Sequence, residues 1–214
     1  MSTTLEHPLA SHLSTAVVTP PGRSVMDAQS WTVDRALDEV SASSAGGAPF
    51  LIAFGLTLFL AAVASFFIPV KIAAWVVLFQ GNLALPLAFW LERVMSSGRM
   101  SPDNPFKPLS VLMAFSQIVG LPAVFLAFNL HPAYVPTALA AVGGAHFLPY
   151  AWLHRTRIYT VVGIAVSIGA FAIAMVAKRQ SFPWVLFYMS LVYWVAAPWL
   201  VLHARRLTIA REAH

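Results

Sequence analysis

The chain has 214 residues, of which 59% are hydrophobic and 10% are charged, whereas soluble domains carry about 25% charged residues. This composition excludes an ordinary soluble domain and indicates a membrane protein, and the lack of cysteine excludes disulfides, thiolate catalysis and cysteine metal ligands. The net charge of +5 does not indicate nucleic-acid binding, because the basic residues cluster at the ends of hydrophobic segments, where they signal membrane topology.

Residues 1–47 form a polar tail that we expect to be cytoplasmic and largely disordered. No basic stretch followed by an apolar one is present, so we expect no cleavable signal peptide, and Met26 is an alternative start of translation. After Ser30, a suitable helix cap, apolar residues at helical spacing predict a short amphipathic helix over about 30–40. Its acidic face suits docking against basic cytoplasmic helix ends, and a weakly ordered leader is the alternative. The acidic residues are Asp34, Asp38 and Glu39.

Six hydrophobic segments follow, each close to the length of about 20 residues that a helix needs to cross a bilayer. Because they are continuous apolar runs without dyad alternation, they predict helices and not a barrel. The fold class we expect is all-α, a polytopic membrane bundle of six transmembrane helices over residues 48–204, with a cytoplasmic tail at 205–214. The segments span about 48–68, 72–92, 109–130, 133–153, 157–177 and 182–203.

The basic residues alternate between the two ends of these segments. Ten lie in the two tails, the 93–108 loop and the turn near residue 155, and three lie on the other side. By the positive-inside rule, this asymmetry predicts that both termini are cytoplasmic, in the cytoplasmic (inner) membrane of a bacterium. The three residues on the outer side are Lys71, Lys178 and Arg179.

The three predicted spans that run inward end alike, with "LPLAFWLERV", "LPYAWLHRTR" and "APWLVLHARR". One interpretation is a triplicated helical hairpin, as in transporters with parallel repeats. The other is that proline, tryptophan and arginine each recur for their ordinary reasons in membrane helices.

Polar side chains inside the predicted spans are few, and they are costly in a bilayer unless they face protein or water. Counting 1.5 Å per residue from the cytoplasmic ends places five of them in one layer, about 10 to 17 Å deep. We expect this layer to form a site for a small molecule or ion, with His146 as ligand contact or proton relay because imidazole titrates near neutral pH. The alternative is that these groups hydrogen-bond helices together. The five residues are His146, Gln117, Asn82, Gln80 and Tyr193.

The surroundings of the histidine also suit close packing. Ala140 and Gly144, like Gly163 and Ser167, have the four-residue spacing of small residues that lets helices approach closely. Pro149 leaves a carbonyl free one turn back, beside His146.

One ion pair is expected at the cytoplasmic boundary. Glu92 is the acidic residue at the end of a span there, and we expect it to pair with Arg155 or Arg157 in a structural role. No phosphate loop, serine-hydrolase motif or metal-ligand spacing is present, so we predict no catalytic residue, no metal and no cofactor.

The stretches "DNPFKPLSVLMAFSQ", "GGAHFLPYAWLHRTRIY" and "LPLAFWLERV" resemble a family of small bacterial six-helix membrane proteins known only as a domain of unknown function. The resemblance covers about residues 48–205 and implies a fold and a membrane location without an activity. Three hypotheses of function follow. The first is a small transporter or channel-like protein using the polar layer, the second is a non-catalytic scaffold or sensor acting through its cytoplasmic tail, and the third is an intramembrane enzyme. The lipid bilayer is the expected partner, and self-association is left open.

Overall fold

The computed structural model describes residues 31–212, with side chains described as far as Ile209, and the leader with Met26 lies outside this range. The described residues form helices, turns and bends without a β-strand, which confirms the predicted all-α class. Short 3-10 turns at Ala45–Gly47, Pro132–Tyr134 and Lys178–Gln180 connect some of the helices. The α-helices are α1 (Val33–Ser43), α2 (Ala48–Ala64), α3 (Val70–Phe79), α4 (Gly81–Met95), α5 (Lys107–Leu130), α6 (Val135–Leu153), α7 (Ile158–Ala177) and α8 (Ser181–Glu212).

Four helical stretches in the described part of the chain are long and apolar enough to cross a membrane. One of them joins α3 and α4, and the longest, Ile158–Ile209, contains the antiparallel hairpin of α7 and α8. Helix α6 is not among the four, since its 19 residues include two glycines, two prolines and a histidine. The protein is therefore a helical membrane protein by the length and composition of these stretches. The four stretches are Ala45–Ala64, Val70–Met95, Lys107–Leu130 and Ile158–Ile209.

Helix α6 has the central position in the bundle. It packs mainly along α7 and α5 and also contacts α8 and α3, while α2 packs along α8 and α4. Helix α5 has only two buried residues, Val124 and Phe128, and the Phe128 ring packs against Trp75 of α3. The buried core is built largely from alanine, valine and leucine, so the helices approach closely and small side chains fill the space between them.

Helices α6 and α7 cross at two glycines, Gly144 of α6 and Gly163 of α7. A Cβ atom added to Gly163 would lie 2.6 Å from the carbonyl oxygen of Gly144, and one added to Gly144 would overlap the hydroxyl of Ser167. That hydroxyl donates a hydrogen bond to the carbonyl of Ala140 at 3.4 Å. The two small-residue pairs noted in the sequence thus meet each other in space, and neither glycine has room for a side chain.

A left-handed turn folds α1 back onto the bundle. Ala45, Gly46 and Gly47 all have positive φ, at 49°, 65° and 78°. A Cβ on Gly46 would lie 2.8 Å from the carbonyl oxygen of Leu200, and one on Gly47 would overlap the Tyr159 hydroxyl. Gly46 and Gly47 are therefore required both by the backbone conformation and by the close approach of α8 and α7.

We predict that Gly144→Ala destabilises the protein by about 1–3 kcal/mol, because the added methyl overpacks the α6–α7 crossing. Gly81→Ala is the matched control, since a Cβ there meets no atom within 4 Å and alanine is the better helix former. Thermal unfolding in detergent measures both. Equal unfolding temperatures for the two variants would show that the crossing does not limit stability.

Candidate functional site

His146 faces α5 from the middle of α6 and is half-buried. Its Nδ1 atom lies 3.0 Å from the Ser116 hydroxyl oxygen, and that hydroxyl lies 2.7 Å from the carbonyl of Met113. A hydroxyl has a single hydrogen, so when Ser116 donates it to Met113, the bond to His146 is donated by Nδ1–H. The lone pair of the neutral imidazole is then on Nε2, the nitrogen that can accept a proton or a hydrogen bond from a solute.

A column of rings continues from His146 toward the α1 end of the bundle. Tyr150 and His154 follow at four-residue spacing, which places them on the same helical face. The ring centroids of His146 and Tyr150 are 5.1 Å apart, and those of Tyr150 and His154 are 5.8 Å apart with nearly parallel planes. Tyr159 of α7 stacks on His154 at 5.3 Å. We call His146, Tyr150 and His154 the ring column.

Within the described residues, the other four members of the predicted layer form no hydrogen bond with His146. Gln80, at the break between α3 and α4, is buried and accepts a hydrogen bond from Thr57 of α2. Tyr193 is buried on α8 and its ring packs against Phe147 at 5.6 Å. Gln117 is half-buried and Asn82 is exposed. Within residues 31–209, no hydrogen bond joins any two of the five, and none of them lines the surface groove between α5, α6 and α7 that is described below.

The end of the ring column is closed by α1. Ser41 and His154 are both buried, and the Ser41 hydroxyl lies 3.2 Å from Nδ1 of His154. His203 Nε2–H of α8 donates to the His154 carbonyl at 3.0 Å, and the Tyr159 hydroxyl donates to the carbonyl of Gly46 at 2.6 Å. Burial, with a smaller contribution from the neighbouring His203, lowers the pKa of His154 to about 3. His154 is therefore neutral at physiological pH.

A second buried contact ties α1 to the loop before α5. The Asn104 amide donates to the Glu39 carboxylate at 2.7 Å and to the Ala36 carbonyl at 3.0 Å. Its side-chain oxygen accepts from the backbone N–H of Phe106 at 2.9 Å, which is an Asx turn. Sequence reasoning gave Asn104 and Glu39 no such role. The signal was present in "DNPF", where asparagine before proline favours a turn that uses its side chain.

The ion pairs of Arg155 are with α1 and not with Glu92. Its guanidinium lies 3.1 Å from the Asp38 carboxylate and 3.3 Å from that of Asp34. Among the residues the structure describes, Glu92 forms no ion pair with Arg155 or Arg157. In the structure, α1 instead brings two carboxylates to Arg155. No group of three metal-ligating side chains occurs within the described range.

These features define a helical membrane protein with a polar ring column inside the bundle and a docked amphipathic helix at one end. The chain belongs to the family of unknown function DUF7010, whose model matches residues 33–203. This confirms the family resemblance, but the match begins at Val33 and not near residue 48, so α1 lies within the family region. No curated protein and no solved structure matches the chain.

We predict that the protein loses stability as the pH falls below about 6.5. The pKa of His154 is about 3 in the folded protein and 6.5 in a model peptide, so protons bind preferentially to the unfolded chain in this window. Each pH unit below this value lowers the free energy of unfolding by up to about 1.4 kcal/mol. The unfolding temperature in detergent, measured from pH 7.5 to 5.0, should fall less for His154→Gln than for the unmodified protein. His131→Gln, at the opposite end of the bundle, is the control and should keep the full decrease.

We also predict that Asn104→Ala loosens α1 by about 1–3 kcal/mol, because it removes a buried donor to Glu39 and Ala36. Hydrogen exchange of the Val33–Ser43 amides should become faster. Asn129→Ala is the control, since Asn129 donates only to Phe125 in its own helix at an exposed position. Unchanged exchange in α1 of the Asn104 variant would contradict the role given to this contact.

Proposed function

We propose that the protein spans the bacterial cytoplasmic membrane six times, with both termini in the cytoplasm. The spans are α2, α3 with α4, α5, α6, α7 and α8. The 19 residues of α6 extend about 28 Å, close to the thickness of a bilayer core of about 30 Å. The ten-to-three distribution of basic residues supports this orientation. In it, α1 lies on the cytoplasmic side and the Lys178–Gln180 turn lies on the outer side.

Within this topology the protein acts as a small transporter or channel-like protein in which His146 relays protons. The observation that carries this proposal is the ring column, an ionisable imidazole in the middle of a span that continues as Tyr150 and His154 to the cytoplasmic end. Ionisable groups within spans are expensive and commonly belong to proton or solute pathways. Hydrogen bonding to Ser116 fixes the orientation of the ring, so Nε2 remains available for proton exchange.

The remaining residues of the predicted layer have supporting roles in this proposal. Gln117 directly follows Ser116, the hydrogen-bond partner of the imidazole, on α5, whereas Gln80 and Tyr193 are buried against neighbouring helices. Pro149 cannot donate to the carbonyl of Ala145, next to His146, which permits local bending of α6 at the column.

The test is proton uptake into proteoliposomes that contain a pH-sensitive dye, driven by a potassium diffusion potential. We expect His146→Gln and His146→Ala to lower the rate by about 100-fold, the lower end of what one acid–base group contributes. Leu148→Ala, a lipid-exposed change on the same helix, should retain the rate. Equal rates for the His146 variants and the unmodified protein would refute the relay.

A scaffold or sensor is the second candidate, and the docking of α1 favours it. Asn104 and Arg155 both bind α1, so a partner that captured α1 would be coupled to the loop before α5 and to the end of α6. This candidate predicts no proton uptake in any variant and a loss of cellular function in Asn104→Ala but not in His146→Ala.

A further inference from the structure

A surface groove lies between α5, α6 and α7 at the end of the bundle opposite α1. Its volume is about 590 Å³, within the range of small-molecule sites. Its apolar lining residues are Ala127, Ala138, Ala141, Phe171, Ala174 and Met175. We call the four alanines the alanine floor; their short side chains leave space beside Phe171 and Met175 of α7.

Polar groups occur at one end of the groove. Lys178 follows the last residue of α7, and Tyr134 and Thr137 lie at the start of α6. The Thr137 hydroxyl is buried and has no hydrogen-bond partner among the residues that the structure describes. The other two such atoms among residues 31–209, in His131 and Ser181, belong to the same end of the bundle. Buried polar groups are normally paired, so this end has unused capacity for hydrogen bonding.

The charges at this end have one sign. The chain has basic residues here at Lys71, Lys178 and Arg179, whereas no acidic residue occurs in 40–91 or in 104–211. The structure pairs Arg155 with carboxylates at the α1 end, but no side-chain carboxylate of the described chain is available to Lys178. The described chain therefore provides no carboxylate partner for the Lys178 ammonium group, which is exposed and free to bind an anionic ligand.

We propose that this groove binds an anionic phospholipid of the outer leaflet. The headgroup phosphate lies at Lys178 with hydrogen bonds from Tyr134 and Thr137, and one acyl chain follows the alanine floor. From Lys178 to Phe171 the groove extends seven residues, about 10 Å along α7, which matches a chain entering the bilayer from its surface. The site rests on the six-span orientation proposed above but not on transport.

The anionic class follows from the charge of the site. A zwitterionic headgroup brings its own cation, which would lie among Lys178 and Arg179 without a carboxylate to accept it. A lysine near a membrane surface favours an anionic lipid by about fivefold, the equivalent of about 1 kcal/mol.

Native mass spectrometry of the full chain, with phosphatidylglycerol and phosphatidylcholine in competition, tests the proposal. The unmodified protein should retain phosphatidylglycerol preferentially, and Lys178→Gln should lower that preference about fivefold. Lys71→Gln removes an equal charge from the same side but outside the groove, and it should leave the preference unchanged. Retained preference in Lys178→Gln, or an equal loss in both variants, would overturn the proposal, the latter because it indicates a diffuse surface potential.

Two further variants examine the rest of the groove. Thr137→Val keeps the shape of the side chain and removes the hydroxyl, so it should also weaken phosphatidylglycerol retention. Ala141→Phe fills the alanine floor and should abolish retention of the bound lipid. Normal lipid binding in both variants would contradict the proposed site. If Ala141→Phe does not fold, Thr137→Val decides. A lack of proton uptake would refute only the proton relay, because lipid binding in the groove does not depend on transport.

Discussion

The crossing of Gly144 and Gly163 is the contact on which the arrangement of the bundle depends. Lipid tails are as apolar as leucine, so helices in a bilayer associate through close packing and hydrogen bonds and not through a hydrophobic driving force. Here two backbones touch because neither residue has a side chain. Since residues on a helix are about 100° apart, the face of α6 that bears Gly144 is nearly opposite to the one that bears His146. Packing on α7 therefore directs His146 toward α5.

The orientation of α6 about its own axis also connects the interior of the bundle to its α1 end. Residues 146, 150 and 154 share one face, so directing His146 at α5 also places His154 where α1 docks. Helix α1 then provides Ser41 to the imidazole and two carboxylates to Arg155. A segment that is amphipathic and weakly helical by itself thereby becomes part of the folded domain, in agreement with a family match that begins at its first residue.

Buried polar contacts at the two ends of the bundle differ in kind. At the α1 end, Asn104, Ser41 and His154 are satisfied by the protein itself, and Arg155 forms ion pairs with two aspartates of α1. At the opposite end, the Thr137 hydroxyl has no partner among the described residues, and the charged side chains that these residues place there are basic. One end is therefore closed by the chain's own amino-terminal segment, and the other has the chemistry to receive an anion from the membrane.

The amino-acid sequence by itself determined the all-helical class, the family, the approximate positions of the apolar helices and the glycine pairs that pack. These properties follow from hydropathy, span length and spacing along one chain. Depth in the membrane could be counted in the same way, and it grouped Gln80, Asn82, Gln117, His146 and Tyr193 into one layer. The direction in which each side chain points around its helix could not be derived from the sequence, because it depends on which neighbour each helix packs against. Only the tertiary structure turned Gln80 toward Thr57, left Asn82 exposed, and paired Arg155 with α1 in place of Glu92.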